Sequence, residues 1–251
     1  MFSMQGKVAF ITGSGHGIGR AAAKKMAALG ATVGVNDLKQ EFVDEAVAEI
    51  REAGGQAFGI VQNMSTREGV RSAIAELHEK TGRLDILVNN AAWVRYQSIP
   101  DVTPEVVDRM TEIGFKSVIW GIQSAAELMD AERGGVIINV ASTAGFRSTL
   151  NSIVYSGIKA GVMGITRAAA AELGARNIRV NAIAPSAVPT EGTQKHRSAE
   201  RDAARIARTP MGRLGTVDDM ANAICMLAFD EASFISAEVL YVDGGSSRAN
   251  I

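Results

Sequence analysis

Short runs of apolar residues recur along the chain, each followed by a longer stretch whose apolar positions return every three or four residues. "KVAFIT" (7–12), "ATVGVN" (31–36), "QAFGIVQ" (56–62), "DILVNN" (85–90), "GVIINVA" (135–141) and "IRVNAIA" (178–184) have the pattern of strands buried on both faces. "EVLYVDGG" near the end predicts a seventh strand. Helical spacing occupies 17–29, 40–53, 66–80, 104–130 and 155–174. Strand, helix, strand, repeated in this way, demands right-handed crossovers and a parallel sheet covered on both sides. The predicted fold is α/β: a doubly wound Rossmann-type parallel sheet of about seven strands with helices on both faces.

No linker and no shift in composition divides the chain, so residues 1–251 are expected to form a single domain. The one irregular region is "PSAVPTEGTQKHRSAERDAARIARTP" (185–210), which is polar and carries three of the five prolines. It follows the sixth predicted strand, on the side of such sheets where ligands bind, and it predicts a lid over about 186–210. Within it Arg197, Arg201, Arg205 and Arg208 fall at helical spacing. They could clamp a carboxylate or phosphate, but Glu200 and Asp202 are interleaved, which favours a solvated charged face. His196 has no evident acidic partner and reads as surface.

Apolar residues make up 47 % of the 251 positions, ample for a sizeable core. A formal net charge of -1 gives no general attraction to nucleic acid or to an acidic membrane. The single cysteine, Cys225, has no partner for an internal disulfide and suits a reducing compartment. In "AICMLAF" it reads as buried apolar filler. "MFSMQGKVAF" lacks the features of a signal peptide, and no apolar run is long enough to cross a bilayer, so a cytoplasmic protein is expected.

"ITGSGHGIGRAAA" (11–23) follows the first predicted strand and opens the first predicted helix. The strict G-x-G-x-x-G fingerprint is not met, but Gly13, Gly17 and Gly19 serve the same physics. Glycine permits a sharp turn and lets a pyrophosphate approach backbone N–H groups at a helix start, here with Ser14, Gly15, His16 and Ile18 between. Asp37 ends the second predicted strand, 18 residues beyond Gly19. A carboxylate there accepts both hydroxyls of an adenosine ribose and repels a 2′-phosphate, so NAD is expected rather than NADP. The alternative reading of Asp37 is a cap for the next helix.

In "VYSGIKAG" (154–161) Tyr155 and Lys159 are four residues apart, on one face of a helix. Together with the glycine loop, "NNAA", "NVAS" and "YVDGG", in this order, the pair resembles the motif set of the short-chain dehydrogenase/reductase family. The resemblance covers essentially the whole chain. It implies hydride transfer between a secondary alcohol or ketone carbon and nicotinamide, with Tyr155 as acid/base, Lys159 as its partner and Ser142 on the substrate oxygen. Free tyrosine, with a pKa near 10, is a poor base at neutral pH, so the Lys159 ammonium is expected to favour phenolate. By the same resemblance Asn90 and Ala91 line the ribose, and Asn63 and Met64 face adenine. Pro185, Val188 and Thr190 in "NAIAPSAVPT" hold the nicotinamide side, with Ser186 where the family has glycine. One departure stands out: Gly114, in "DRMTEIGFKSV", occupies the place of an asparagine whose side chain pins a helix kink and whose carbonyl holds a relay water. Glycine keeps the carbonyl and loses the pin.

Trp93, Val94, Tyr96 and Phe146, with the 149–154 segment, are the candidate substrate wall, although Trp93 and Phe146 could equally be packing residues. An apolar wall suits an alicyclic, aromatic or medium-chain secondary alcohol. The alternatives are an NADPH-linked 3-oxoacyl-thioester reductase, which Asp37 opposes, and an NAD-binding protein that has lost turnover. Family members commonly form tetramers, and the apolar faces of "FKSVIWGIQ" and "AGVMGITRAAA" suit that assembly. No metal site is expected.

Overall fold

The computed structural model describes residues 2–192 and 198–249. Seven strands, β1 (Val8–Ile11), β2 (Thr32–Asp37), β3 (Gln56–Val61), β4 (Ile86–Asn89), β5 (Gly135–Val140), β6 (Ile178–Pro185) and β7 (Val239–Val242), form one sheet. Their spatial order is β3-β2-β1-β4-β5-β6-β7, and every neighbouring pair is parallel. The helices are α1 (Gly17–Ala28), α2 (Gln40–Glu52), α3 (Arg67–Thr81), α4 (Pro104–Thr111), α5 (Ser117–Leu128), α6 (Ile153–Leu173), α7 (Ala199–Ala207) and α8 (Val217–Ala228). From β1 the chain winds outward to β3, then returns to place β4 on the other side of β1. The strand order reverses between β1 and β4, and in open sheets a ligand crevice opens beyond that point.

Alternation along the strands builds two cores. Ala9 and Ile11 of β1 join a layer with α1, α2 and α8, while Val8 and Phe10 point into the layer of α3, α5 and α6. On β6, Val180, Ala182 and Ala184 face the second layer and Ile183 the first. Both faces are covered, so central strands are mostly apolar, and β1 and β4 are buried at every residue. Buried amides within the central strands are paired, Asn89 Nδ2 donating to Asn139 Oδ1 and Asn139 Nδ2 to Thr166 Oγ1. The edge strands β3 and β7 are partly exposed, and β3 alternates accordingly. Cys225 is buried in the first layer, as filler.

The stretch expected as one helix over 104–130 is two, α4 and α5, joined by a π-helical turn over Glu112–Lys116. Gly114 is buried in the middle of that turn. Periodicity is blind to one extra residue in a turn, and such π-turns gather at functional sites. The turn packs against α6, because a Cβ added at Gly114 would lie 3.2 Å from Cγ2 of Ile158, next to Lys159. The 185–210 region contains α7, every residue of which is at least partly exposed. Its cap is Ser198, whose Oγ accepts from the Arg201 N–H at 3.2 Å. His196 and Arg197 lie outside the described residues. Among the described residues no helix is long and apolar enough to cross a membrane, and no cluster of His, Cys, Asp or Glu could hold a metal ion.

Candidate active site

The glycine loop turns where β1 ends, and its neighbours brace it. Gly13 and Gly17 have φ of +61° and +59°, the left-handed region that favours glycine. Gly19 is fixed by space instead: a Cβ there would lie 2.5 Å from the Gly13 carbonyl oxygen and 2.6 Å from Asn90 Nδ2. Asn90 Nδ2 donates to the carbonyls of Thr12 and Gly13, both at 2.9 Å. The Asn90 side chain therefore holds the loop as well as facing the crevice. Ser14 Oγ donates to the Ile11 carbonyl at 2.8 Å and accepts from the Asn36 N–H at 3.0 Å. Asn36, fully buried, accepts from the Gly13 N–H and donates to the carbonyls of Ile60 and Gln62. Its role went unread in the sequence, although an amide inside the apolar run "VGVND" was the available signal.

At the start of α1 the N-cap is His16, whose side chain caps no N–H, and the first turn has no acidic residue. The orphan N–H groups of that turn favour an anion. Asp37 is 9 % exposed, with Oδ1 accepting from the Leu38 N–H at 2.8 Å. Its Oδ2 lies 3.3 Å from His16 Nδ1. Asp37 does not cap α2, which starts at Gln40 with Lys39 as N-cap and no side-chain cap bond; its Oδ1 accepts instead from the backbone between β2 and α2. The Asp37 carboxylate beside it holds the His16 imidazole pKa above its usual 6.5, and burial opposes this. For Asp37, burial pushes the pKa up, and the hydrogen bonds from His16 and the backbone bring it below the usual carboxylate value.

Across the crevice, Ser142, Tyr155 and Lys159 line one cavity of about 920 Å³ with Tyr96, Asn90, Ile18, Pro185, Val188 and Thr190. Ser142 lies two residues beyond β5 as the N-cap of a 3₁₀ turn, its Oγ accepting from the Ala144 N–H at 3.2 Å. Tyr155 and Lys159 come from the first turns of α6. Burial pushes the Tyr155 phenol up to about 12, the nearby Tyr96 adds to this, and a hydrogen bond with Ser142 pulls it down. Lys159 is 4 % exposed and its Nζ donates to the Val140 carbonyl at 2.6 Å. Burial lowers its pKa to about 8. The ammonium was expected to favour phenolate, yet Nζ sits 5.8 Å from the Tyr155 ring centre and is engaged by Val140. Burial, and not the lysine, sets the direction of the phenol's shift.

The candidate substrate wall divides. Tyr96 lines the cavity and packs edge-on against Tyr155, ring centres 5.7 Å apart. Trp93 and Val94 pack in a small cluster with Val106, Met110 and Ile158, and the Arg109 guanidinium lies 4.3 Å over the Trp93 ring. Phe146 is 57 % exposed and meets Tyr241 edge-on at 5.5 Å. Of the two residues expected to face adenine, Met64 is buried in the second core layer, and Asn63 Oδ1 accepts from the Ser65 N–H at 2.9 Å. Ala91 packs against the same layer, its N–H donating to Thr12 Oγ1 at 2.9 Å. A serine hydroxyl, a phenol and a buried amine on one cavity wall can hydrogen-bond and protonate a carbonyl oxygen.

The family model described as enoyl-(acyl carrier protein) reductase matches residues 13–247. The 3-oxoacyl-[acyl-carrier-protein] reductase FabG of Thermotoga maritima is 36 % identical over 242 residues, covering 96 % of this chain and 98 % of that one. Among solved structures, a 7α-hydroxysteroid dehydrogenase complexed with NADH and 7-oxo glycochenodeoxycholic acid superposes with a TM-score of 0.94 at 34 % identity, covering 98 % of this chain and 96 % of that one. A variant of a Serratia marcescens short-chain dehydrogenase/reductase superposes with a TM-score of 0.91 at 31 % identity, covering 97 % and 99 %. With the loop, the sheet order and the relatives in agreement, the chain belongs to the short-chain dehydrogenase/reductase family of oxidoreductases.

Proposed function

We propose that the protein interconverts a secondary alcohol and its ketone with NAD as the hydride carrier. The observation that carries this reading is the convergence of Ser142, Tyr155 and Lys159 on one cavity that reaches the glycine loop through Ile18 and Asn90. The residues fit a dinucleotide. Gly13 before α1, and Gly17 and Gly19 in its first turn, carry no side chain at the α1 N-terminus, where no side chain caps an N–H and a pyrophosphate belongs. Asp37 Oδ2 suits the adenosine ribose, Asn63 and Met64 the adenine side, and Asn90, Ala91, Pro185, Val188 and Thr190 the nicotinamide half. When bound, the dinucleotide supplies or takes the hydride. Tyr155 donates its proton to the carbonyl oxygen as negative charge develops there, and takes it back in the reverse direction. Ser142 hydrogen-bonds the same oxygen and the phenol, aligning the two. Lys159, charged below about pH 8, holds positive charge under the site and offers N–H groups beyond the one given to Val140.

A second reading, reduction of a 3-oxoacyl thioester with NADPH, is supported by the FabG relative. Asp37 opposes the 2′-phosphate, but His16 at 3.3 Å offsets part of that charge. The NADH in the hydroxysteroid dehydrogenase neighbour supports the first reading. A panel of secondary alcohols, cyclic ketones and acetoacetyl thioesters, followed at the NADH or NADPH absorbance, tests both. The first expects kcat/KM higher with NAD(H) on an alcohol or simple ketone. Faster thioester reduction with NADPH would replace it by the second. No turnover with any pair would leave a cofactor-binding protein. Assembly as a homotetramer through α4–α5 and α6 belongs to the same proposal and is tested by light scattering.

A further inference from the structure

The mouth of the active-site cavity is more basic than the composition suggests. The chain has a formal net charge of -1. Among the described residues, however, the cavity lining carries Arg147, Arg205, Arg208 and Lys159 against one carboxylate, Asp202. Lys159 lies deep, on the Val140 carbonyl, and belongs to the chemistry. The three arginines are exposed and arrive from two places: Arg147 from the segment after β5, and Arg205 and Arg208 from the last turn and C-cap of α7. Arg205 Nη1 lies 3.5 Å from Asp202 Oδ1, and Asp202 is the one carboxylate beside three guanidiniums among the described lining residues. Arg147 Nη1 donates to the Ser246 carbonyl at 3.2 Å, a neutral partner that leaves its charge uncompensated. Arg205 also acts inward, since its charge is felt at the Tyr96 phenol, whose ring packs against Tyr155. Charges on a merely solvated helix face would be turned away from the cavity, whereas here α7 turns Arg205 and Arg208 into it, with Asp202 offsetting one of the two.

We propose that this mouth recognises an anionic group on the substrate, a carboxylate or a phosphate, held by Arg205 and Arg208 with help from Arg147, while the reacting carbonyl lies at Tyr155. The inference rests on the hydride-transfer reading for the position of the carbonyl and adds the chemical class of the substrate. Planar guanidinium forks match both oxyanions, and a concave basic site concentrates anions near its opening. The anion belongs either to the carbon skeleton, as a carboxylate, or to a carrier arm, as a phosphate ester.

The test uses methyl ketones of graded chain length that end in a carboxylate, a phosphate monoester or a neutral methyl ester. Each is reduced with NADH by the parent protein, by R205Q/R208Q, and by Arg133→Gln, whose partner is Asp130. The better anionic series is expected to exceed the ester series in kcat/KM by about tenfold at low salt, a ratio in the range of charge-assisted hydrogen bonds. The ratio should fall to near unity in R205Q/R208Q, shrink with added salt, and persist in Arg133→Gln. Which anion wins identifies the source. Equal kcat/KM for all three series in the parent, or a ratio unchanged in R205Q/R208Q, overturns the proposal and leaves hydride transfer standing. Calorimetric titration of the same compounds separates the two readings. Tighter binding of the anions than of the ester, lost in R205Q/R208Q, supports the arginine mouth even where no ketone turns over. Equal binding together with absent turnover rejects it.

Discussion

Around Gly13, Asn36 and Asp37 the polar groups are tied into the fold, whereas Phe146, Arg147 and Arg208 stand exposed at the other end of the same crevice. The first region is set by backbone: positive φ at Gly13 and Gly17, and at Gly19 no room for a Cβ. The second is set by side chains on a surface loop and on a short helix with no buried residue. A dinucleotide is the same molecule in every such enzyme, so its half of the crevice can be rigid. The substrate half has only to hold Ser142, Tyr155 and Lys159 still, and its rim is free to differ.

The largest effect is expected where the two halves meet. Tyr155→Phe keeps the ring against Tyr96 and removes the proton, so kcat should fall about a thousandfold, in line with the worth of a positioned general acid. NAD affinity, measured by fluorescence titration, should stay within about threefold, because neither the glycine loop nor Asp37 is touched. Turnover within about tenfold of the parent would remove Tyr155 from the chemistry.

Asp37→Ala probes the rigid half alone. Losing Oδ2 removes the ribose acceptor and the repulsion of a 2′-phosphate, so the NAD-over-NADP ratio of kcat/KM should narrow by about tenfold. An unchanged ratio would leave Asp37 as an acceptor for the Leu38 N–H and nothing more.

The contrast also explains what could be read from the chain. The strands, their parallel order and the glycine loop were legible because burial on both faces and left-handed φ restrict residue types severely. Asn36 was missed because a buried amide looks like a break in the strand until its partners on β1 and β3 are known. The resemblance placed a kink at Gly114, but periodicity did not show that a π-turn divides 104–130 there, because that turn depends on how α4–α5 meets α6. Trp93 and Val94 followed the correct strand but pack with α4 and α6, since the loop after β4 folds back on them. Neighbours along the helix suggested a solvated face for Arg201, Arg205 and Arg208, and only the cavity shows that Arg205 and Arg208 line it.

His16 offers a finer test of the rigid half. Its pKa lies above 6.5 because Asp37 faces it, with Glu191 adding to the rise; Arg20, itself paired to Glu49 at 2.7 Å, opposes it. Phe42 flanks the imidazole at 5.5 Å and carries Lys39 on its ring. Below the His16 pKa the imidazolium offsets Asp37 and tolerates a 2′-phosphate; above it Asp37 acts alone. NADP use relative to NAD should therefore rise by about threefold to fivefold as pH falls through the neutral range. His16→Gln should flatten that response, and whatever slope remains belongs to the 2′-phosphate itself. A slope identical in both proteins would detach His16 from cofactor choice.

The smallest effect is expected at Gly114, where the rigid scaffold touches the chemistry through Ile158 and Lys159. Gly114→Asn places the family's usual residue in a turn that is already π-helical without it. The gain in helix propensity is only about 0.3 kcal/mol, because asparagine is itself a weak helix former. Against it stands a Cβ only 3.2 Å from Ile158 Cγ2, which must shift by a few tenths of an ångström. Crowding of that kind costs about 1–3 kcal/mol, so thermal unfolding should show a modest net loss. If the turn already has its working geometry, kcat should change by less than about tenfold in either direction, the most that one hydrogen bond of about 1 kcal/mol supplies to a barrier. The pH optimum should stay in place, because Lys159 keeps its bond to Val140. A hundredfold gain in kcat would mean that glycine leaves the lysine side of the site incomplete, and the protein would then be a weakened binder rather than a working oxidoreductase.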